Sequence, residues 1–473
     1  MTLFAFVADD FTGATDALWQ FRRFGLTGSL VADVARLHDA DDVIGIATTA
    51  RASADPVSVV LPALKALAAL KPLVIQYKVC STFDSSPAHG SIGAVIAALH
   101  REGLARGPVP VLAAQPELGR HTWFANHFVR AGDEVLRLDR YPPMRDHPVT
   151  PASEADLRLR LAEQGAGRVG WLPASPFPSP SSGLSSAEEA YRALGGEAAF
   201  VADALTEDHV RALGRLLLAD AASRAPLYCV GSGGLSYALA SARTERGGGT
   251  DVRPSDAVGR GGGLGTWPDG VARRRSPGPL GPAAPVLVLS GSRSPITARQ
   301  IDTAERAGWR VLDASDGLRR GTPGGVATRD GVVEVAAEAG WGSFADLFAQ
   351  VAESLGEGRH TIVQSTRGPA RDPAVIGDLL GRIASATVRA GLVRRLVVAG
   401  GDTSGQVVAA LGARSLDVVA SLAPGAPVCV LTSDDPAYDG LEVALKGGQV
   451  GGDDYFLAVA RRRRPLPGSW TIS

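Results

Sequence analysis

With 473 residues the chain is too long for one ordinary core and reads as two domains. Its composition is globular, 45% hydrophobic and 21% charged, with enough apolar surface to bury two cores. Lys and Arg number 48 against 49 for Asp and Glu, a balance that excludes the basic excess of a nucleic-acid binder, and no basic amphipathic stretch points to a membrane.

The opening run Met1-Thr-Leu-Phe-Ala-Phe-Val-Ala8 is apolar and stops at Asp9 and Asp10. Without a basic leader or a small-residue cleavage site, it reads as a first strand rather than a signal peptide. Beyond it, short apolar runs alternate with amphipathic stretches, the pattern of a mainly parallel α/β sheet. The pattern predicts strands at 3–8, 43–48, 73–78, 109–113 and 227–230, and helices at 13–24, 57–70, 91–101 and 154–164. Ser153 is the expected N-cap of the last helix, with Asp156 three residues on. From Ser241 to Pro285 the periodicity stops. That run holds Gly247-Gly-Gly, Gly261-Gly-Gly and Arg273-Arg-Arg, and reads as a solvated linker or surface insertion.

The second half restarts with a strand at 286–289, then Ser290-Gly-Ser-Arg-Ser-Pro295 and a helix through Arg306. Ser294 is the expected cap and Pro295 suits the first turn. Strands follow at 310–312, 361–364, 396–399, 428–431 and 441–445, with an apolar helix at 407–411. The expected division is 1–240, 241–284 and 285–473: two α/β domains, each with a largely parallel sheet, and a ligand cleft between them. No apolar run approaches the roughly 20 residues that span a bilayer. Cys80, Cys229 and Cys429 are few and widely spaced, which fits a reducing cytoplasm and gives no metal framework.

Ligands of open α/β sheets bind outside the carboxyl ends of the strands, and the polar residues of interest fall there. After the first strand comes Asp9-Asp-Phe-Thr-Gly-Ala-Thr-Asp16, opening a helix. Gly13 permits close backbone approach, and the helix N-terminus favours an anion. Arg51 follows the second strand, Lys78-Val-Cys-Ser-Thr-Phe-Asp84 the third and Gln115 the fourth. Cations for a carboxylate, with carboxylates and amides for hydroxyls, suit a polyhydroxylated anion. Asp16 reads as a solvated or capping residue of its helix, whereas Asp10 and Lys78 read as functional. Only four of the 48 basic residues are lysine, and Lys78 and Lys446 lie in the two most motif-like stretches.

In the second half, Val398-Ala-Gly-Gly-Asp-Thr-Ser-Gly405 joins a strand to a helix and makes a phosphate cradle of backbone N–H groups. Ser290-Gly-Ser292 and Lys446-Gly-Gly-Gln-Val-Gly-Gly-Asp453 follow two further strands, so three Gly/Ser-rich strand ends form a candidate nucleotide site. His121, His127 and His147 lack zinc-like spacing and read as loop or packing residues.

Five segments resemble the four-carbon acid sugar kinases: 8–16, Tyr77-Lys-Val-Cys-Ser-Thr-Phe-Asp-Ser85, Gly90-Ser-Ile-Gly93, His147-Pro-Val-Thr-Pro151 and Gly400-Gly-Asp-Thr-Ser404. They span nearly the whole chain in the family's order. The resemblance implies that 1–240 binds a sugar acid and 285–473 binds ATP. It puts the substrate side on Asp10, Arg51, Lys78, Val79, Cys80 and Ser81, and the nucleotide side on Ser292, Gly400, Gly401, Asp402, Thr403 and Gly448. The family usually has Glu where this chain has Asp402, and a small residue in place of Arg293.

The expected activity is phosphorylation of a sugar-acid hydroxyl by ATP with Mg²⁺, in which positioning matters more than covalent chemistry. Asp10 is the expected base, and its neighbour Asp9 is expected to raise the pKa of one of the pair. The expected partner is a small sugar acid, with a homo-oligomer left open. A nicotinamide-dependent oxidoreductase would show a spaced-glycine fingerprint followed by an acidic residue, and none is present. A non-catalytic sensor would not need the second glycine-rich domain.

Overall fold

The computed structural model describes residues 2–147, 149–174, 184–246, 283, 285–318, 342–367 and 371–461. These fall into two compact units, one built from 2–246 and the other from 283–461.

The strands of the first unit are β1 (Phe4–Ala8), β2 (Gly28–Val31), β3 (Val43–Ala47), β4 (Val74–Lys78), β5 (Val109–Leu112), β6 (Arg120–Trp123), β7 (Asn126–Ala131), β8 (Glu134–Arg137), β9 (Val169–Leu172), β10 (Ala199–Ala202) and β11 (Leu227–Gly231). Its helices are α1 (Phe11–Arg22), α2 (Pro56–Ala68), α3 (Ile92–Arg101), α4 (Pro142–Arg145), α5 (Leu157–Glu163), α6 (Leu184–Arg192), α7 (Glu207–Arg224) and α8 (Gly233–Arg246). Within this unit the main sheet runs β2-β3-β1-β4-β11-β5-β10-β9, and its paired strands are parallel. Helices cover both faces of such a sheet, so its central strands are continuously apolar. Phe4–Ala8 and Val43–Ala47 are buried at every position. Three strands of mixed polarity, β6-β7-β8, form a separate antiparallel sheet.

Local chemistry moved two helix starts. The first helix begins at Phe11 rather than Gly13, because Asp10 caps it by accepting from Gly13 N. The helix expected from Glu154 with Ser153 as cap begins instead at Leu157, capped by Asp156, which accepts from Arg158 N. Glu154 Oε1 accepts from Ala155 N and Asp156 N, so the first two backbone donors are satisfied outside the helix. α8 continues to Arg246, past the expected start of the linker at Ser241. The rest of that stretch, 247–282 and 284, lies outside the described residues.

The second unit contains β12 (Leu287–Ser290), α9 (Pro295–Arg306), β13 (Arg310–Asp313), α10 (Gly342–Gly356), β14 (Thr361–Gln364), α11 (Pro373–Arg389), β15 (Arg395–Ala399), α12 (Gly401–Ala410), β16 (Ala413–Ala423), β17 (Ala426–Ser433), β18 (Glu442–Lys446) and α13 (Tyr455–Ala460). Its strand order is β13-β14-β12-β15-β18-β17-β16, parallel as far as β18 and antiparallel through β17 and β16. Ser294 caps α9 as expected, accepting from Ile296 N. Both units are α/β with largely parallel sheets, as the sequence predicts. No helix among the described residues is long and apolar enough to cross a membrane.

Candidate functional site

In the first unit three adjacent strands end in register, with Ala8 opposite Ala47 on one side and Lys78 on the other. The residues that follow are therefore delivered to one sheet edge: Asp9 and Asp10 after β1, Arg51 after β3 and Lys78 at the end of β4. Arg51 closes a fork on Asp9, donating from Nε to Oδ2 at 3.1 Å and from Nη2 to Oδ1 at 2.7 Å. Its Nη1 donates to Asp10 Oδ2 at 2.7 Å. Thr12 Oγ1 donates to the same Oδ2 at 2.6 Å, and Gly13 N donates to Oδ1 at 2.7 Å.

The two aspartates are thereby driven apart. Burial pushes the Asp9 carboxyl up to about 6, against the opposing pull of Arg51. Asp10 is as deeply buried, but Arg51, Thr12, Lys78 and Gly13 N outweigh that burial and hold its carboxyl below the usual carboxylate range. Asp9 is thus the partner whose pKa rises, and Asp10 stays an anion.

Lys78 is buried, and its Nζ donates to Val79 O at 3.1 Å. A Cβ placed on Gly13 would lie 2.6 Å from Asp10 Oδ1 and 2.9 Å from Lys78 Nζ. Only glycine leaves room there beside both groups.

The other expected substrate residues, Val79, Cys80 and Ser81, follow in the loop after β4. The Val79 side chain belongs to the apolar core, and its N donates to Gly231 O at 2.9 Å. Cys80 Sγ lies 3.0 Å from Thr82 Oγ1, and burial pushes the thiol up to about 11, which leaves it protonated and unsuited to nucleophilic work. Ser81 O is held by His127 Nε2 at 2.7 Å. His127 is fully buried, and burial lowers its pKa to about 3, so it is a neutral brace for the 79–84 loop. Asp16 is not solvated. It is buried on α1 and accepts from Gln20 Nε2 at 3.1 Å and from Gln115 Nε2 at 3.2 Å, so Gln115 is engaged there too.

The second unit repeats the arrangement. Ser290, Ala399 and Lys446 are in register at the ends of β12, β15 and β18. Gly400 has φ of 119°, a conformation reserved for glycine, and its N donates to Lys446 O at 3.0 Å. α12 then starts at Gly401 with no side-chain cap on its first turn, the kind of helix start that can bind an anion. Asp402 is exposed in its first turn, while Thr403 is buried. Ser292 Oγ lies 3.1 Å from Thr297 Oγ1, which donates to Gly448 O at 3.0 Å. A Cβ on Gly448 would come within 2.7 Å of Ser292 Oγ. The Ser292, Gly400–Thr403 and Gly448 segments are thus brought together.

Sequence reasoning missed Thr297, which lies in the first turn of α9 and carries no motif. It left Lys446 as a lysine in a motif-like stretch without a role. That lysine is fully buried, and Nζ donates to Thr297 Oγ1 at 3.2 Å. His127 was read as a packing residue, and it is one, but it packs against the loop of interest. Pro148, in the 147–151 segment, lies outside the described residues.

The chain matches a sugar-binding N-terminal domain over residues 4–239 and a nucleotide-binding C-terminal domain over 287–456. The fold is that of a solved protein from Salmonella typhimurium LT2 (TM-score 0.68, 24% identical, covering 98% of this chain and 99% of that one). Haemophilus influenzae protein HI1011 is also similar (TM-score 0.61, 22% identical, covering 96% and 98%). Taken with the curated relatives below, the class is an ATP-dependent carbohydrate kinase. A 3-oxo-isoapionate kinase of Paraburkholderia graminis is 33% identical over 98% of this chain and 94% of its own. A 3-oxo-tetronate kinase of Pseudomonas fluorescens is 33% identical over 95% and 94%, and one of Cupriavidus necator is 31% identical over 96% of each. The chain belongs to the four-carbon acid sugar kinase family.

Proposed function

We propose that the chain transfers the γ-phosphoryl group of ATP to a hydroxyl of a short 3-oxo sugar acid, oriented by Asp10 and anchored through its carboxylate by Lys78. The observation that carries this reading is the convergence beside Gly13 of an anionic acceptor, Asp10 Oδ1, and a donor, Lys78 Nζ, each so near the Gly13 Cα that a Cβ there would touch both. A hydroxy acid offers the complement of that pair: a hydroxyl to donate to Asp10 Oδ1 and a carboxylate to accept from Lys78 Nζ. The named relatives act on 3-oxo acids, which directs the choice within the sugar acids.

In the transfer, the acceptor oxygen bonds to the γ-phosphorus as the bond to the β–γ bridging oxygen breaks. The hydroxyl proton passes to Asp10 Oδ1 and on to solvent, and the products are ADP and a phosphate ester. A carboxylate held ionised suits this role, since orientation of the acceptor contributes more than strong basicity. Arg51 fixes both aspartates and is a positioning residue in this reading. Its fork is closed on Asp9, so the carboxylate of the acid is assigned to Lys78.

The ATP phosphates are assigned to the Gly400–Thr403 turn, with Ser292 and Gly448 beside it. Mg²⁺ arrives with a polyphosphate and needs few protein ligands. The described residues contain no cluster of three metal-ligating side chains, and the exposed carboxylate of Asp402 beside the cradle fits a cation carried in by the nucleotide. When bound, the ion neutralises charge on the β- and γ-oxygens. The reading is tested by ADP release from purified protein offered tetronates, 3-oxo-tetronates, branched 3-oxo acids and neutral alditols. It predicts turnover with a 3-oxo acid; turnover with the alditols but with none of the acids would overturn it.

A further inference from the structure

Lys446 has a place in the nucleotide site that no motif gives it. Its main-chain oxygen accepts from Gly400 N at 3.0 Å, which fixes the left-handed turn that opens α12. Its Nζ donates to Thr297 Oγ1 at 3.2 Å, and that hydroxyl donates to Gly448 O at 3.0 Å and lies 3.1 Å from Ser292 Oγ. One residue thus touches, directly or through one hydroxyl, all three segments assigned to the phosphates. The side chain is 0% exposed and makes no ion pair within 4 Å among the described residues, whereas buried ammonium groups are ordinarily paired.

The charged groups on the elements around it are Arg293, Arg299, Asp302, Glu305 and Arg306 of the β12–α9 segment, Asp402 of α12, and Asp453 and Asp454 beyond the glycine loop. All eight are exposed; Arg299 is paired with Asp453, and Asp302 and Glu305 with Arg367. Arg395 and Glu442 pair with each other at the opposite ends of β15 and β18. None of these groups perturbs Lys446; burial alone lowers its pKa, to about 7.

We propose that Lys446 is a proton-linked positioning residue of the nucleotide site, taking a proton from solvent when the polyphosphate of ATP supplies the missing negative charge. No covalent bond is made or broken. The bound anion favours the ammonium form, and the ammonium tightens the Thr297, Gly448 and Ser292 contacts around it. The inference rests on the assignment of the phosphates given above.

The test is calorimetric titration of the full chain with MgATP at pH 6, 7 and 8, each in two buffers of different protonation enthalpy. The expected result is uptake of about one proton per ATP at pH 8, falling toward zero at pH 6, where the lysine is already charged. Lys446→Met should abolish the uptake at pH 8 and weaken ATP binding roughly tenfold or more. If that variant does not fold, as judged by its thermal melt, the wild-type pH profile decides alone. ATP binding by wild type without uptake at pH 8, or with equal uptake in the variant, overturns the role of Lys446 and leaves the nucleotide site intact. Failure of wild type to bind ATP overturns both readings.

Discussion

At the scale of residues, the site rests on two neighbouring aspartates given opposite characters by their partners. Asp10 accepts three hydrogen bonds and stays ionised, while Asp9 is raised by burial and held by the Arg51 fork. Asp10→Asn keeps the helix cap, since Asn caps as well as Asp, but loses the anion. We expect kcat to fall by roughly 10²–10⁴-fold, the usual contribution of a positioned acid or base, and the melt to fall as well, since an amide NH2 in place of Oδ2 cannot accept from Arg51 or Thr12. Gly13→Ala should be almost as damaging, because its Cβ would displace Asp10 or Lys78; a loss of about 100-fold in kcat/KM is expected for misplacement on that scale. Arg51→Lys separates two roles. If Arg51 orients the aspartates, kcat/KM for the acid and for the matching alditol should fall by the same factor, equivalent to roughly 1–3 kcal/mol. A selective loss on the acid would return Arg51 to the substrate carboxylate.

Lys446 carries a stability prediction as well. Its pKa is lowered on folding from 10.5 to about 7. Below pH 7 the group is charged in both states, and the cost of burying that charge is complete. Between pH 7 and 10.5 the unfolded chain binds the extra proton, so this group's contribution to stability rises with pH. In the absence of nucleotide, Lys446→Met should therefore raise the Tm most below pH 7, with the gain shrinking toward pH 10. A constant difference across that range would mean the lysine is not buried as a charge.

At the scale of elements, function follows from register. Three in-register strand ends deliver Asp9, Asp10, Arg51 and Lys78, and three others deliver the loops to which the phosphates are assigned in the proposed reading. Gly401→Val would put a branched side chain on the first residue of α12, beside the N–H groups that face the ligand. ATP affinity should fall while sugar-acid binding persists, as measured by separate titrations; an unchanged ATP isotherm in a folded variant would remove this turn from the site. The central strands were legible in the sequence because a parallel strand buried on both faces reads as an unbroken apolar run, as in Phe4–Ala8 and Leu287–Ser290. β6, β7 and β8 were not: in β6 the buried positions are Arg120 and Thr122, so no apolar alternation marks the inward face in the sequence. Asp10 and Lys78 could be picked out by their place after strands. Thr297 could not, since its role exists only through contacts with Ser292, Gly448 and Lys446 distant in sequence.

At the scale of the whole molecule, the proposed reading gives each unit one half of a phosphoryl transfer: carboxylate and ammonium groups in the first, glycine turns and hydroxyls in the second. The domain matches over 4–239 and 287–456 follow the same division. The most direct measurement is ³¹P NMR with mass spectrometry of the product formed from ATP and a 3-oxo sugar acid. The account predicts stoichiometric ADP and a phosphate monoester on the acid, absent with Asp10→Asn. Free phosphate without the ester, or an acid oxidised with reduction of a nicotinamide, would contradict it.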